Sequence, residues 1–405
     1  MTTQTQPTPP SFFSLSPANP YPTLAQLRVH GAVAPISAWA GNGFGKTWLV
    51  TQWAEAVQVL KDKRFTVDAT QINPNAGAFG QMGGSSATES NFFGGRSMIS
   101  VDGVDHARLR GLVSKAFTPR YIEALRPKIQ QIADDLLDQV QGQGTMDLVR
   151  DYAYPLPINV ISDMLGVPAA RRVDLRQWSA SMASGGSGRD LRAFAAYIME
   201  LVATKRQQPQ DDLISNLIHL EAADDALNEQ ELLSMVGLLI FAGHETTSNL
   251  ISIGMLTLFD HPAVLAQIKA DLSLVPAAVE ELLRINGPVL SPAPRFALET
   301  VELGGVTVNR GDMLFVSLGS ANHDETVFTD PTELNIARDL SRHIAFGQGI
   351  HFCLGAPLAR LEGEIAFTTL LQRMPNLRIS VPRDSITWRG SVNLRGLTAL
   401  PVAFS

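Results

Sequence analysis

The sequence has one cysteine, Cys353, so no internal disulfide can form and a cytoplasmic protein is the expectation. Charge is sparse. Asp, Glu, Lys and Arg make up 18% of the residues, without runs of one sign, and the net charge is −7. That argues against a basic footprint for nucleic acid. Long apolar runs are missing as well. The most apolar stretch, Met235 to Leu258, is broken near its centre by His244, Glu245, Thr246, Thr247, Ser248 and Asn249. Six polar residues at bilayer depth would be too costly, so a buried helix is expected there and no membrane span. The start, MTTQTQPTPPSFF, lacks the charged n-region and apolar h-region of a secretory signal. What is present is a hydrophobic fraction of 45%, enough to bury a large core and exclude wholesale disorder.

Residues 1–20 read as an irregular tail, because Pro7, Pro9, Pro10, Pro17 and Pro20 block regular structure. Residues 21–405 show no internal repeat and no linker, and read as a single domain. Trp48 to Asp62 starts like a strand and continues as a helix. Residues 72–97 are rich in Gly, Ser and Asn without a period, a long loop of the kind that covers a binding site. Apolar residues at helical spacing run from about Asp105 to Arg206 and again from Glu229 to Asp260. Pro276 suits the first turn of a further helix. Short strands are expected from Pro288 to Asn309, with GGVTVNRGD as a hairpin signal, and again after a helix from Ala356 to Met374. The fold class is mainly α with a small β region.

The strongest chemical feature is FGQGIHFCLGAPLARLE, Phe346 to Glu362. Gly347 and Gly349 permit a tight turn and close backbone approach. Leu354-Gly355-Ala356-Pro357 opens a helix directly after Cys353, so the sulfur faces unpaired N–H groups that favour thiolate over thiol. A lone cysteine is more often an inert core residue, but these neighbours weigh against that. AGHETT, Ala242 to Thr247, puts a glycine and two threonines inside a helix, where they weaken it locally. Its acid and hydroxyl could relay protons; a satisfied polar cluster is as good a reading of that hexapeptide alone. Glu281 and Arg284 share one helix face at i, i+3, the spacing of a routine ion pair. His106 and Arg110 share another at i, i+4.

Together these motifs resemble the soluble bacterial type of the cytochrome P450 family, over about residues 20–405. The resemblance implies that family's triangular, mainly helical body and haem b held by an axial thiolate from Cys353. It implies that Phe346, Gly347, Gly355 and Ala242 border the haem, and that His106, Arg110, Arg295 and His351 clamp its two propionates, groups that cations and an Arg fork would suit. Glu245 and Thr246 become the acid–alcohol pair that relays protons to dioxygen. Glu281 and Arg284 become a structural pair; the expected basic third partner falls at Glu333, which leaves Arg338 or a backbone contact as substitutes. Hydroxylation of a hydrophobic small molecule (steroid, terpenoid, macrolide or polyketide, or fatty acid) with O2 and two electrons is the implied activity.

No reductase segment is evident, so a ferredoxin or flavodoxin with its reductase is the expected electron source, docking near Arg108, Lys115 and Arg360. The expected pocket comprises Phe79, Met82, Phe92, Phe93 and Met98 from the long loop, Leu238, Phe241 and Ala242 from the long helix, and Leu290, Ser291, Pro292 and Val392 to Leu394 from the β region. Trp178 to Tyr197, which would roof it, looks roughly ten residues short for the family. Two competing patterns fail on context. Ala40 to Thr47 fits a relaxed phosphate-loop pattern, but Lys46-Thr47 run into Trp48-Leu49-Val50, which favours a strand where a helix should begin. His244-Glu245 begins a zinc-protease pattern, yet position 248 is serine, so the second ligand is missing. A peroxide-driven oxygenase is disfavoured because Glu245 and Thr246 are both present.

Overall fold

The structure, a computed structural model, describes residues 15–37, 44–74, 96–183, 188–220, 227–390 and 393–405. Helices form its body and a mixed sheet one flank. The elements that frame the site are β1 (Val33–Pro35), β2 (Thr47–Val50), α1 (Trp53–Lys61), β3 (Phe65–Thr66), α2 (Gly103–Ser114), α3 (Arg126–Asp138), α4 (Pro155–Leu165), α5 (Glu229–Asp260), α6 (Val275–Asn286), β4 (Arg295–Ala297), β5 (Met313–Val316), α7 (Ala356–Arg373), β6 (Trp388–Gly390) and β7 (Arg395–Leu397).

The sequence states the ends of α5 clearly. Asn228 accepts from the Glu231 backbone N–H at 2.9 Å, and Glu231 accepts from the Asn228 N–H at 3.0 Å, a reciprocal capping box. Pro262 comes two residues after the last, Asp260, and forces the exit. At 1.5 Å per residue this helix runs about 48 Å. It packs on α4, α6 and α7 and buries almost every residue from Glu231 to Leu258, which is why its apolar pattern runs nearly all round instead of along one stripe. Gly243, which reads as a weak point, is a contact point. A Cβ there would stand 2.8 Å from Ile161 Cγ1, so glycine lets α4 come close. No single helix among the described residues is long and apolar enough to cross a membrane.

The sheet orders its strands β1-β2-β5-β4-β3. β2 pairs with β5 in parallel, Trp48 opposite Leu314, and β4 runs antiparallel to β5, Arg295 opposite Leu314. Thr47 starts strand β2, as expected from Trp48-Leu49-Val50, so no helix follows Lys46. The expected hairpin joins Val301–Leu303 to Val306–Val308 through Gly304-Gly305.

Candidate active site

Cys353 sits where a tight loop enters α7. Its N–H donates to the Phe346 carbonyl at 3.0 Å, and the Gly347 N–H to the Ile344 carbonyl at 2.9 Å. Gly347 and Gly349 have φ of +73° and +75°. A Cβ on Gly349 would lie 2.3 Å from the Leu60 carbonyl oxygen, so only glycine lets this loop cross the end of α1. The Cys353 side chain opens onto a cavity but lies deep. Burial pushes its thiol up, while the N–H groups of Gly355 and Ala356, with Arg110 and Arg360, pull the other way. The helix start favours thiolate as expected, but burial outweighs it; a thiolate there needs a cation beside it.

Below the loop stands a buried ion-pair network. Arg284 donates to Glu281 at 2.7 and 2.8 Å and to the carbonyls of Asn322 and Pro331, both at 2.8 Å. The third position is settled in favour of both substitutes. The Asn335 N–H and Arg338 Nε reach Glu281 at 2.9 and 3.4 Å, and Glu333 offers only its backbone carbonyl. Glu280, the next residue, was not expected. It accepts from Arg360 at 2.6 and 2.8 Å and meets His343 at 2.8 Å. Burial would raise its carboxyl, but these partners outweigh it and hold it down at about 2. Arg360 also stacks on the Phe346 ring, 4.6 Å from its centroid.

At one edge of the cavity His106, Arg110, Arg295 and His351 converge, as expected. The two imidazoles stand 4.4 Å apart. Burial, then His351 and Arg110, push His106 down to about 4, and its Nε2 is buried with no hydrogen-bond partner among the described residues. Arg295 is buried and donates to the Ala293 carbonyl at 2.7 Å; burial lowers it to about 10, with Asp102 opposing. Asp102, missed in the sequence, receives His351 at 2.8 Å, Thr66 Oγ1 at 2.6 Å and the Val67 N–H at 2.8 Å. It sits at the N-cap of α2 without capping it. An aspartate diverted from a cap is a usable signal, though only the structure reveals the diversion.

On the α5 side the expected acid–alcohol pair divides. Thr246 lines the cavity and donates to the Ala242 carbonyl at 3.1 Å. Glu245 does not line it. It is fully buried against Arg389 of β6, 2.6 Å away, and Asn249 at 3.3 Å. A one-residue step on a helix turns the side chain by about 100°; the step back from Thr246 to Glu245 leaves the cavity, whereas the step on to Thr247 stays on its lining.

The cavity measures about 290 Å³. Of the expected pocket residues, Met98, Leu238, Ala242 and Pro292 line it. Phe241 does not, because the lining face of α5 turns the other way, through Leu239, Gly243 and Thr247. Leu290 and Ser291 are also displaced. Leu290 packs on Gly319, whose Cβ would meet Leu290 Cδ2 at 2.7 Å, Ser291 is buried, and Val289 takes the lining place. Phe79, Met82, Phe92, Phe93 and Val392 lie outside the described residues. The expected docking cations are largely committed within the chain. Arg108 pairs with Glu231 and Arg360 with Glu280, while Lys115 stays exposed.

Residues 158–383 match the family described as Cytochrome P450. Polyketide biosynthesis cytochrome P450 PksS of Bacillus subtilis (strain 168) is 42% identical over 396 residues, covering 96% of each chain. This chain belongs to the cytochrome P450 family. A second relative, 6-deoxyerythronolide B hydroxylase of Saccharopolyspora erythraea, is 39% identical and covers 94% of this chain and 95% of its own. Among solved structures, myxobacterial cytochrome P450 CYP267B1 in complex with myristic acid superposes with a TM-score of 0.89 at 38% identity, covering 97% of this chain and 98% of that one. This P450 is therefore a monooxygenase that hydroxylates a hydrophobic small molecule, with haem, a cysteine thiolate, O2 and a redox partner. Its own residues fit the group. One thiol faces the cavity, and an imidazole nitrogen without a partner among the described residues and two arginines stand where carboxylates would be welcome.

Proposed function

We propose that Cys353 is the axial ligand of haem b and that His106, Arg110, Arg295 and His351 hold its propionates. The observation that carries this is the placement of the sole cysteine on one cavity with Thr246 and that cationic edge. When bound, the haem supplies dioxygen activation. The chain does the rest. The Gly355 and Ala356 N–H groups temper the charge on sulfur. Phe346 and Gly347 border the group, and Gly355 keeps side-chain atoms away from the sulfur. The Thr246 hydroxyl holds a proton at the α5 face, and Glu245 feeds that face from behind the helix after leaving Arg389. Leu238, Leu239 and Val289 exclude water and receive an apolar substrate.

The names of the relatives support a polyketide or macrolide within the wider class of hydrophobic substrates. A ferredoxin or flavodoxin with its reductase supplies the electrons, and residues 21–405 act as one domain in the cytoplasm. The deciding measurement is the reduced carbon monoxide spectrum. The wild type should show the red-shifted Soret band of thiolate ligation, and Cys353→Ser should lose it; retention in the variant would overturn the assignment. A panel of macrolactones, steroids and fatty acids, read by the ferric spin-state change, tests the substrate class. Turnover with reduced ferredoxin but not with peroxide alone tests the electron source.

A further inference from the structure

Beside the cysteine loop lies a charge cluster with no propionate to hold and no proton to relay. Arg360 stands at the second turn of α7 and lies over the loop. Its guanidinium carbon is 4.6 Å from the centroid of the Phe346 ring, and the Phe346 carbonyl takes the Cys353 N–H at 3.0 Å. Glu280 on α6 engages the fork of Arg360 with both carboxylate oxygens, at 2.6 and 2.8 Å. His343 closes the far side. Its Nδ1 accepts from the Ala345 N–H at 3.2 Å, so the ring proton sits on Nε2, which donates to Glu280 at 2.8 Å.

Arg360 and Cys353 are near enough that each favours the charged form of the other. Arg110, a second cation acting on the sulfur, stands at the propionate edge of the cavity. The counter-ion of Arg360 belongs to the chain itself. Burial would raise Glu280, but Arg360 and His343 hold it down at about 2, so it is a full negative charge at neutral pH. Other acids do not share this place. Glu281 is spent on Arg284 and Glu364 on Arg126. Glu362, further along α7, is fully buried, and burial pushes its acid up to about 8, so it carries little charge at neutral pH.

We propose that Glu280 is a positioning residue for electron uptake: it fixes the Arg360 charge over Phe346, partly cancels it, and with it sets the reduction potential of the haem. The inference rests on the haem-thiolate reading above. One electron passes from the redox partner, which is oxidised, to the ferric haem, which is reduced; no bond or proton moves. The added negative charge beside the thiolate is favoured by a nearby cation and opposed by a nearby carboxylate. Arg360 therefore raises the potential and Glu280 restrains it, as partners behind a metal ligand tune the metal. Arg360 is 38% exposed, so solvent screens part of its charge and the effect is moderate.

The test is a spectroelectrochemical titration of substrate-free holoenzyme. Wild type is set beside Glu280→Gln, Arg360→Gln, Arg360→Lys and the double variant Glu280→Gln/Arg360→Gln. Glu280→Gln should favour the ferrous state and Arg360→Gln the ferric state. Each shift should be about three- to tenfold in the equilibrium constant, tenfold being about 59 mV for one electron. The double variant loses both charges together and should return to within about twofold of the wild type. Arg360→Lys keeps the charge but loses the fork, and it too should stay within about twofold. A pair that served packing alone would not give opposite signs or rescue by lysine. Single variants that shift in one direction, or not at all, would overturn the proposal, as would a lysine variant that behaves like Arg360→Gln. The reduced carbon monoxide spectrum of each protein separates this from the ligand assignment, since a thiolate band in every variant upholds Cys353 whatever the potentials do. A wild type without that band would sink both.

Discussion

Glu245 shows how much one residue's surroundings decide. It is fully buried, and Arg389, itself 17% exposed, meets it at 2.6 Å while also reaching Asn249 at 3.3 Å and the Leu397 carbonyl at 3.2 Å. Removing one member of a buried pair leaves an uncompensated charge, which costs far more than the pair contributes. Arg389→Met should therefore destabilise the protein by about 3 kcal/mol, and adding Glu245→Gln should restore most of that. Denaturant unfolding of the two variants tests it; equal losses in the single and double variants would mean that Arg389 acts only through packing. The same residue marks a limit of sequence reading. AGHETT places an acid beside a hydroxyl, but adjacency along a helix is not adjacency in space, and the partner that settles the acid's direction lies 144 residues away.

At the scale of elements, ends were legible and faces less so. The capping box at Asn228 and the proline at 262 bound α5 by local chemistry alone. Which way α5 rotates depends on what packs behind it, so the lining runs through Leu239 and Gly243 and leaves out Phe241. In the β region Val289 bridges to Leu394, and a one-residue error in such a segment exchanges the faces of Val289 and Leu290. Asp102 and Glu280 were invisible because their roles lie in partners distant along the chain. The cysteine loop was legible because its glycines obey backbone geometry. Gly349→Ala places a Cβ against the Leu60 carbonyl at a positive φ, and such a change costs more than ~1 kcal/mol. It should also loosen the loop that carries Cys353, measured as faster haem transfer to excess apomyoglobin. An unchanged transfer rate would show that the loop yields without moving the ligand.

For the whole molecule, the buried carboxyls give stability two opposing slopes with pH. Glu280 falls from its ordinary 4.5 to about 2, despite burial, through Arg360 and His343, and Asp102 falls from 3.8 to about 2, despite burial, through His351 and Thr66. Groups with lowered folded values contribute stability above their unfolded values and lose it as pH falls toward about 2. Glu362 has the reverse sign. It stays neutral while the unfolded chain ionises, so its contribution declines as pH rises from 4.5 to about 8. Glu280→Gln should lower stability at neutral pH, since Arg360 and His343 lose the carboxylate charge and one of its two accepting oxygens, and should flatten the acid slope. Glu362→Gln should leave the acid slope intact, flatten the decline toward pH 8 and match or exceed the wild type there. Urea midpoints of the holoenzymes across a pH series separate the two effects. Curves that merely run parallel to the wild type would show that neither carboxyl carries the titration assigned to it.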